Sequence, residues 1–182
     1  LTDELWTAIL SSRNVAGTEW ECPHPSGDGT YCLFHRDSEN TSGDEAQAVA
    51  EALATVESPP PEEPNRTQFL GATFDTAEFS NVDLSVPEES RLDFLGATFE
   101  GPVSFTDQHL RDPSFSGATF QDTVSFKRTE LEDGCWFKET KFDGVTSFTE
   151  ASVTGRLRFH GAEFTEFVGF ERAEIDGPFE LQ

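Results

Sequence analysis

The sequence predicts an all-β solenoid with four sides over residues 67–182, preceded by a smaller segment over residues 1–66. From Phe94 to Leu181, large apolar residues return every five or six positions. An amphipathic helix would return one every three or four positions and a strand every two, so neither element explains the spacing alone. The tetrapeptide Gly-Ala-Thr-Phe also recurs at 71–74, 96–99 and 117–120. This self-similarity indicates a coil built from repeated units.

The large apolar residues separate into four columns when the chain is wound at about 22 residues per turn. Two columns are Phe throughout, one is aliphatic, and one is Phe except for its last member. A pattern that returns at every fourth unit predicts four sides, with these residues as the core. The columns are Phe74, Phe99, Phe120, Phe142 and Phe164; Phe79, Phe105, Phe126, Phe148 and Phe170; Leu84, Leu110, Leu131, Val153 and Ile175; and Phe94, Phe115, Phe137, Phe159 and Leu181.

A small residue lies two positions before most of the large ones, as Ala72 and Ala97 do. This pairing at five-residue spacing resembles the pentapeptide-repeat family. The resemblance implies a right-handed quadrilateral β-helix of about five coils, in which neighbouring coils pair like parallel strands. We attribute the six-residue units to wider corners on alternate sides. The ten-residue step from Leu84 to Phe94 predicts a loop at one corner, and Cys135, at a small inward position, is expected to be an inert buried thiol.

Residues 1–66 predict two short helices and a stiff linker. The first helix has an apolar face at Leu5, Trp6, Ile9 and Leu10, and the second covers residues 45–56. Residues 58–64 contain four prolines and form the linker. Because the end of a β-helix exposes backbone edges and rings, we expect the second helix to cap the solenoid.

Four metal-type residues flank a tight turn between the two helices. Cys22 and His24 precede residues 27–29, and Cys32 and His35 follow them. Thiolate and imidazole ligands on both sides of a turn are typical of a small zinc site, so the sequence predicts one structural Zn²⁺. Two alternatives stay open, namely a Cys22–Cys32 disulfide, which a reducing cytoplasm disfavours, and an unliganded surface hairpin.

The charge excludes some functions and suggests a habitat. The chain has 35 Asp and Glu against 12 Lys and Arg, a net charge of −23. Such acidity with few lysines predicts a cytoplasmic protein of a halophile, where salt screens the self-repulsion. It also excludes direct nucleic-acid binding, which needs a basic surface. No stretch reaches the 18 apolar residues of a membrane helix, so we expect no membrane segment in this fragment of a longer chain.

Catalysis is not expected. The convex rod offers no cleft for an acid and a base, and His109 and His160 lie next to inward residues and should point outward. We therefore predict a non-catalytic scaffold that binds another protein or another domain of the same chain. The family resemblance implies two alternatives. One is a DNA mimic that binds a DNA-handling enzyme such as DNA gyrase, and the other is a regulatory domain of a longer, membrane-attached protein.

Overall fold

The computed structural model describes residues 34, 45–54, 67–88 and 90–181. These residues form helix α1 (Glu45–Leu53) and 17 short strands. The strands are β1 (Thr73–Phe74), β2 (Ala77–Glu78), β3 (Thr98–Phe99), β4 (Val103–Ser104), β5 (His109–Arg111), β6 (Thr119–Phe120), β7 (Val124–Ser125), β8 (Glu130–Glu132), β9 (Cys135–Trp136), β10 (Lys141–Phe142), β11 (Thr146–Ser147), β12 (Ser152–Thr154), β13 (Leu157–Arg158), β14 (Glu163–Phe164), β15 (Val168–Gly169), β16 (Glu174–Asp176) and β17 (Phe179–Glu180). The first predicted helix and the Pro-rich linker lie outside the described residues.

The strands form four parallel sheets, one for each side of the rod. The first side has the order β1-β3-β6-β10-β14, the second β2-β4-β7-β11-β15, the third β5-β8-β12-β16 and the fourth β9-β13-β17. Equivalent residues of successive coils pair, as Phe99 does with Phe120. Isolated bridges between Asp93, Ser114 and Trp136 extend the fourth side toward the first coil. The chain is therefore a parallel β-solenoid of about five turns, as the repeat period predicts.

Stacked phenylalanine rings fill the centre of the solenoid. Within a column the rings are almost parallel, with centroids 4.7 Å apart for Phe99 and Phe120 and 4.9 Å apart for Phe126 and Phe148. Neighbouring columns meet edge to face, as Phe137 meets Phe148 at an interplanar angle of 80°. Both geometries are favourable for aromatic pairs. The fully buried rings are Phe69, Phe74, Phe79, Phe94, Phe99, Phe105, Phe115, Phe120, Phe126, Phe137, Phe142 and Phe148.

The aliphatic column and its neighbours also lie inside for most of the length. Leu110, Leu131 and Val153 are buried and pair across the third side. Phe69, which the column analysis did not assign, stacks on Phe94 at 5.3 Å and extends the fourth column by one ring. Leu181 does not share this burial, because it is 60% exposed in the last described coil.

Helix α1 covers the N-terminal end of the solenoid. Val49 and Leu53 are buried in the same apolar cluster as the rings of the coils. Glu45 Oε2 accepts a hydrogen bond of 2.8 Å from the backbone N–H of Asp75, and Phe34 meets Phe69 edge to face at 5.0 Å. The prediction that the second helix caps the coil is confirmed, although the helix ends at Leu53.

Glycines permit the close corner between the third and fourth sides. Gly134 and Gly155 have φ values of +108° and +83°, in the region that favours glycine. A Cβ atom at Gly134 would lie 2.6 Å from the carbonyl oxygen of Arg156, and one at Gly155 would lie 2.8 Å from the carbonyl carbon of Asp133. Successive coils can therefore approach each other closely at this corner, where a side chain would collide with the backbone of the neighbouring coil.

We predict that truncation of one stacked ring destabilises the whole solenoid. Phe126→Ala should cost about 3 to 5 kcal/mol, because it leaves a cavity between two buried rings. Val145→Ala serves as the control, since Val145 is 43% exposed and should cost far less. Urea titrations followed by circular dichroism measure both losses, and equal losses would contradict the stacked core.

Candidate functional site

The outer surface of the solenoid carries a group of aromatic and charged side chains that spans several coils. It lies on the fourth side and its corner with the third side. We call it the Trp136 cluster, and its members are Arg91, Asp112, Trp136, Arg156, Arg158 and Glu180. Parallel register builds it, because Arg158 pairs with Trp136 above it and with Glu180 below it. Three of the chain's 12 basic residues therefore meet on one side of a strongly acidic protein.

Trp136 holds the centre of the cluster through its indole N–H and its ring. Nε1 donates a hydrogen bond of 2.8 Å to Asp112 Oδ1. The guanidinium carbon of Arg158 lies 4.0 Å from the ring centroid, and that of Arg91 lies 5.5 Å from it. Both distances are within the range of cation–π attraction. The indole is thus fixed by one hydrogen bond and two cations.

Arg91 connects the Trp136 cluster to the loop that interrupts the repeat. The loop lies between Leu84 and Phe94, and Nε of Arg91 donates a hydrogen bond of 2.6 Å to Asp112 Oδ2. Asp112 therefore accepts hydrogen bonds from both Arg91 and Trp136. A single carboxylate joins a loop of the first coil to a strand two coils further along.

Arg156 and Arg158 share one carboxylate at the lower end of the cluster. Their Nε atoms lie 3.2 Å and 3.1 Å from the two carboxylate oxygens of Glu180. The side chain of Arg158 is 22% exposed, whereas that of Arg156 is 49% exposed. The guanidinium of Arg158 is held against the indole, and that of Arg156 faces solvent.

An open cavity of about 340 Å³ lies beside the cluster on the third side. Its lining residues are Ser85, Val86, Glu88, His109, Arg111 and Glu132. Glu132 accepts hydrogen bonds of 3.1 and 3.2 Å from Arg111, and His109 Nε2 lies 3.1 Å from the same carboxylate. The loop after Leu84 thus forms one wall of this polar hollow, and the third side, with the ion pair of Arg111 and Glu132, forms the other.

The ion pair between Arg111 and Glu132 favours the charged forms of both side chains. The hydrogen bond from Arg111 lowers the pKa of Glu132, and the same bond raises the pKa of the Arg111 guanidinium. A carboxylate with a lowered pKa is a weak base, so these groups suit ion pairing better than proton transfer.

The structure places several residues that the sequence singled out. Cys135 is a buried free thiol, and burial raises its pKa well above the ordinary value. His109 and His160 are exposed, as predicted.

The metal prediction is not tested by the structure. The four predicted ligands, Cys22, His24, Cys32 and His35, lie outside the described residues, so the zinc site stays a prediction. Within residues 45–54, 67–88 and 90–181, no group of three or more His, Cys, Asp or Glu side chains is placed to hold a metal ion.

The sequence analysis missed the Trp136 cluster, although a signal for it exists. Trp136, Arg158 and Glu180 are spaced 22 residues apart, which is one turn of the solenoid, and each directly precedes or follows an inward residue. They therefore had to lie in one outward column. Arg91 carries no such signal, because it lies in the loop that breaks the repeat.

Comparisons with known proteins agree with the repeat. The model of the family described as Pentapeptide repeats (9 copies) matches residues 90–130, 105–152 and 126–174. The pentapeptide repeat is thus detected along most of the solenoid, and proteins with this repeat are generally non-catalytic interaction modules. No curated protein and no solved structure matches the chain. No helix among the described residues is long and apolar enough to cross a membrane.

Proposed function

We propose that the chain is a non-catalytic interaction module that binds another protein, or another domain of the same chain, through the Trp136 cluster. The observation that carries the proposal is the meeting of an indole and three arginines on one side of a rigid rod. Trp and Arg are the residues that most often dominate binding energy at protein interfaces. A surface group of this composition, half-buried apart from the exposed Arg156, is therefore the best candidate surface among the described residues.

The scaffold favours tight binding because it holds the cluster in place before a partner arrives. Trp136, Arg158 and Glu180 project from successive paired strands, and the rings behind those strands are stacked and buried. Side chains that are already ordered lose little conformational entropy on association. The hydrogen bonds from Trp136 to Asp112 and from Arg158 to Glu180 supply that order.

The cluster also weighs against the DNA-mimic alternative. A mimic that occupies the DNA site of an enzyme such as DNA gyrase needs a negative surface along the rod. Arg91, Arg156 and Arg158 interrupt that surface on the fourth side, where Asp112 and Glu180 pair with them. The acidity also extends over the whole chain and gives the solenoid no special status. A protein-binding scaffold explains both features.

We predict that a photo-crosslinker beside the cluster captures one partner. p-Benzoylphenylalanine is placed at Lys138, two residues after Trp136, and in a control at Lys141 on the first side; both lysines are exposed. In cells that make the protein, position 138 should give a discrete cross-linked product that Trp136→Ala abolishes, because the indole is the centre of the surface. Equal products at positions 138 and 141, or a product that survives Trp136→Ala, would contradict the proposal.

We further propose that the acidic surface is an adaptation to a salt-rich cytoplasm. Within the last described coil, Glu163, Glu171, Glu174 and Asp176 occupy exposed positions. At low salt these carboxylates repel one another, and molar salt shortens the screening length to about 3 Å.

The test of this adaptation is the salt dependence of stability. Tm should rise between about 0.1 M and about 3 M KCl because screening removes the repulsion. The combined substitution of Glu163, Glu171 and Glu174 by Gln should reduce that rise. A Tm that is flat or falls with KCl would reject the adaptation.

A further inference from the structure

We infer that Arg156 and Arg158 form a binding site for a carboxylate of an acidic segment of the partner, and that Glu180 occupies this site in the free protein. We call the two residues the arginine fork. The inference rests on the proposed function and adds the chemistry of the partner. Glu180 acts as a built-in competitor, so the partner must displace it.

The strand geometry makes the fork. Successive side chains of a strand point to opposite faces, so residues two apart share a face. Leu157, between the two arginines, is fully buried in the core. Arg156 and Arg158 therefore both project outward, and their Nε atoms reach the two oxygens of one carboxylate at 3.2 and 3.1 Å. The same spacing accommodates a carboxylate from outside.

The fork has more donors than Glu180 can use. Two guanidinium groups carry ten N–H donors, whereas an ionised carboxylate offers about four acceptor sites. Glu180 accepts a hydrogen bond from Arg158 Nε at 3.1 Å. Once Glu180 is displaced, both guanidinium groups are available for planar, bidentate recognition of a carboxylate, which is the geometry that arginine favours.

The indole fixes one arm of the fork and leaves the other adjustable. Arg158 lies 4.0 Å over the Trp136 ring and is 22% exposed, so it is partly desolvated. Partly buried ion pairs are screened by salt less than exposed ones, and they are worth more. Arg156 is 49% exposed and can turn toward an incoming group.

Glu180 can be replaced at the fork by another carboxylate. Its side chain is 39% exposed, so an incoming carboxylate can reach the two guanidinium groups without any opening of the strands. The displaced Glu180 side chain would return to solvent.

The test uses Trp136 as the reporter. Trp6→Phe and Trp20→Phe leave Trp136 as the single tryptophan of the chain. The probe is poly-L-glutamate, titrated at about 1 M KCl so that the long-range repulsion from the net charge is screened. Binding should change the fluorescence of Trp136, because Arg158 lies over its ring. Dextran, an uncharged polymer that offers no carboxylates, should leave it unchanged.

Removal of the competitor should strengthen binding. Glu180→Gln should bind poly-L-glutamate about tenfold or more tightly than the unmodified fork, because a charge-assisted hydrogen bond no longer has to be displaced. The matched control is Glu150→Gln, which removes one negative charge from the Arg172 pair on another part of the surface. It should leave the affinity within about twofold. Arg156→Gln added to Glu180→Gln should cancel the gain.

The outcomes separate this inference from the proposed function. Equal affinities for Glu180→Gln and Glu150→Gln, or no binding by Glu180→Gln with an unchanged circular dichroism spectrum, would overturn the arginine fork. If the cross-link at position 138 still depends on Trp136 in that case, the interaction module stands and only the carboxylate chemistry fails. If Glu180→Gln shows no gain in affinity and the cross-link at position 138 does not depend on Trp136, the Trp136 cluster is rejected as a binding surface.

Discussion

The coil-to-coil stacking of phenylalanine rings is the interaction on which the rest of the structure depends. Ring centroids are 4.7 Å apart for Phe99 and Phe120 and 5.0 Å apart for Phe137 and Phe159, which is close to the spacing of about 4.8 Å between paired strands. Backbone pairing and ring stacking therefore impose the same repeat distance. A tyrosine at these positions would bring a hydroxyl group that needs a partner inside the core, and Phe avoids that cost.

The fixed repeat distance also determines the surface. Because each coil lies in register with the next, outward residues one turn apart become neighbours whatever their type. Trp136, Arg158 and Glu180 meet for this reason, and so do Asp107 and Arg128, whose ion pair has a distance of 2.6 Å. The core thus supplies a rigid frame on which a few outward residues build the Trp136 cluster. The candidate site is specified by outward residues, separately from the inward residues that specify the fold.

The sequence predicts the inward residues much better than the surface. Inward positions repeat every five or six residues because each must fill the same space, and that constraint is visible in one sequence. The column analysis did not assign Phe69, because the loop after Leu84 makes the first turn longer than the others. Arg91 reaches Trp136 through the path of that loop, which follows no period. The contacts that make the candidate site therefore depend on geometry that only the structure supplies.

Native-state hydrogen exchange tests the central claim that stacked coils stabilise one another. The amides of Phe105 and Phe126 donate hydrogen bonds of 2.8 and 2.7 Å to the next coil. They should exchange only through global unfolding, because they lie between covered coils. The amide of Ser85, which lies in the loop that interrupts the repeat and donates a hydrogen bond of 2.9 Å to Asp83, should exchange much faster through local opening. If the amides of Phe105 and Phe126 exchange as readily as that of Ser85, their opening free energy lies well below that of global unfolding, and a stack held together by its rings is contradicted.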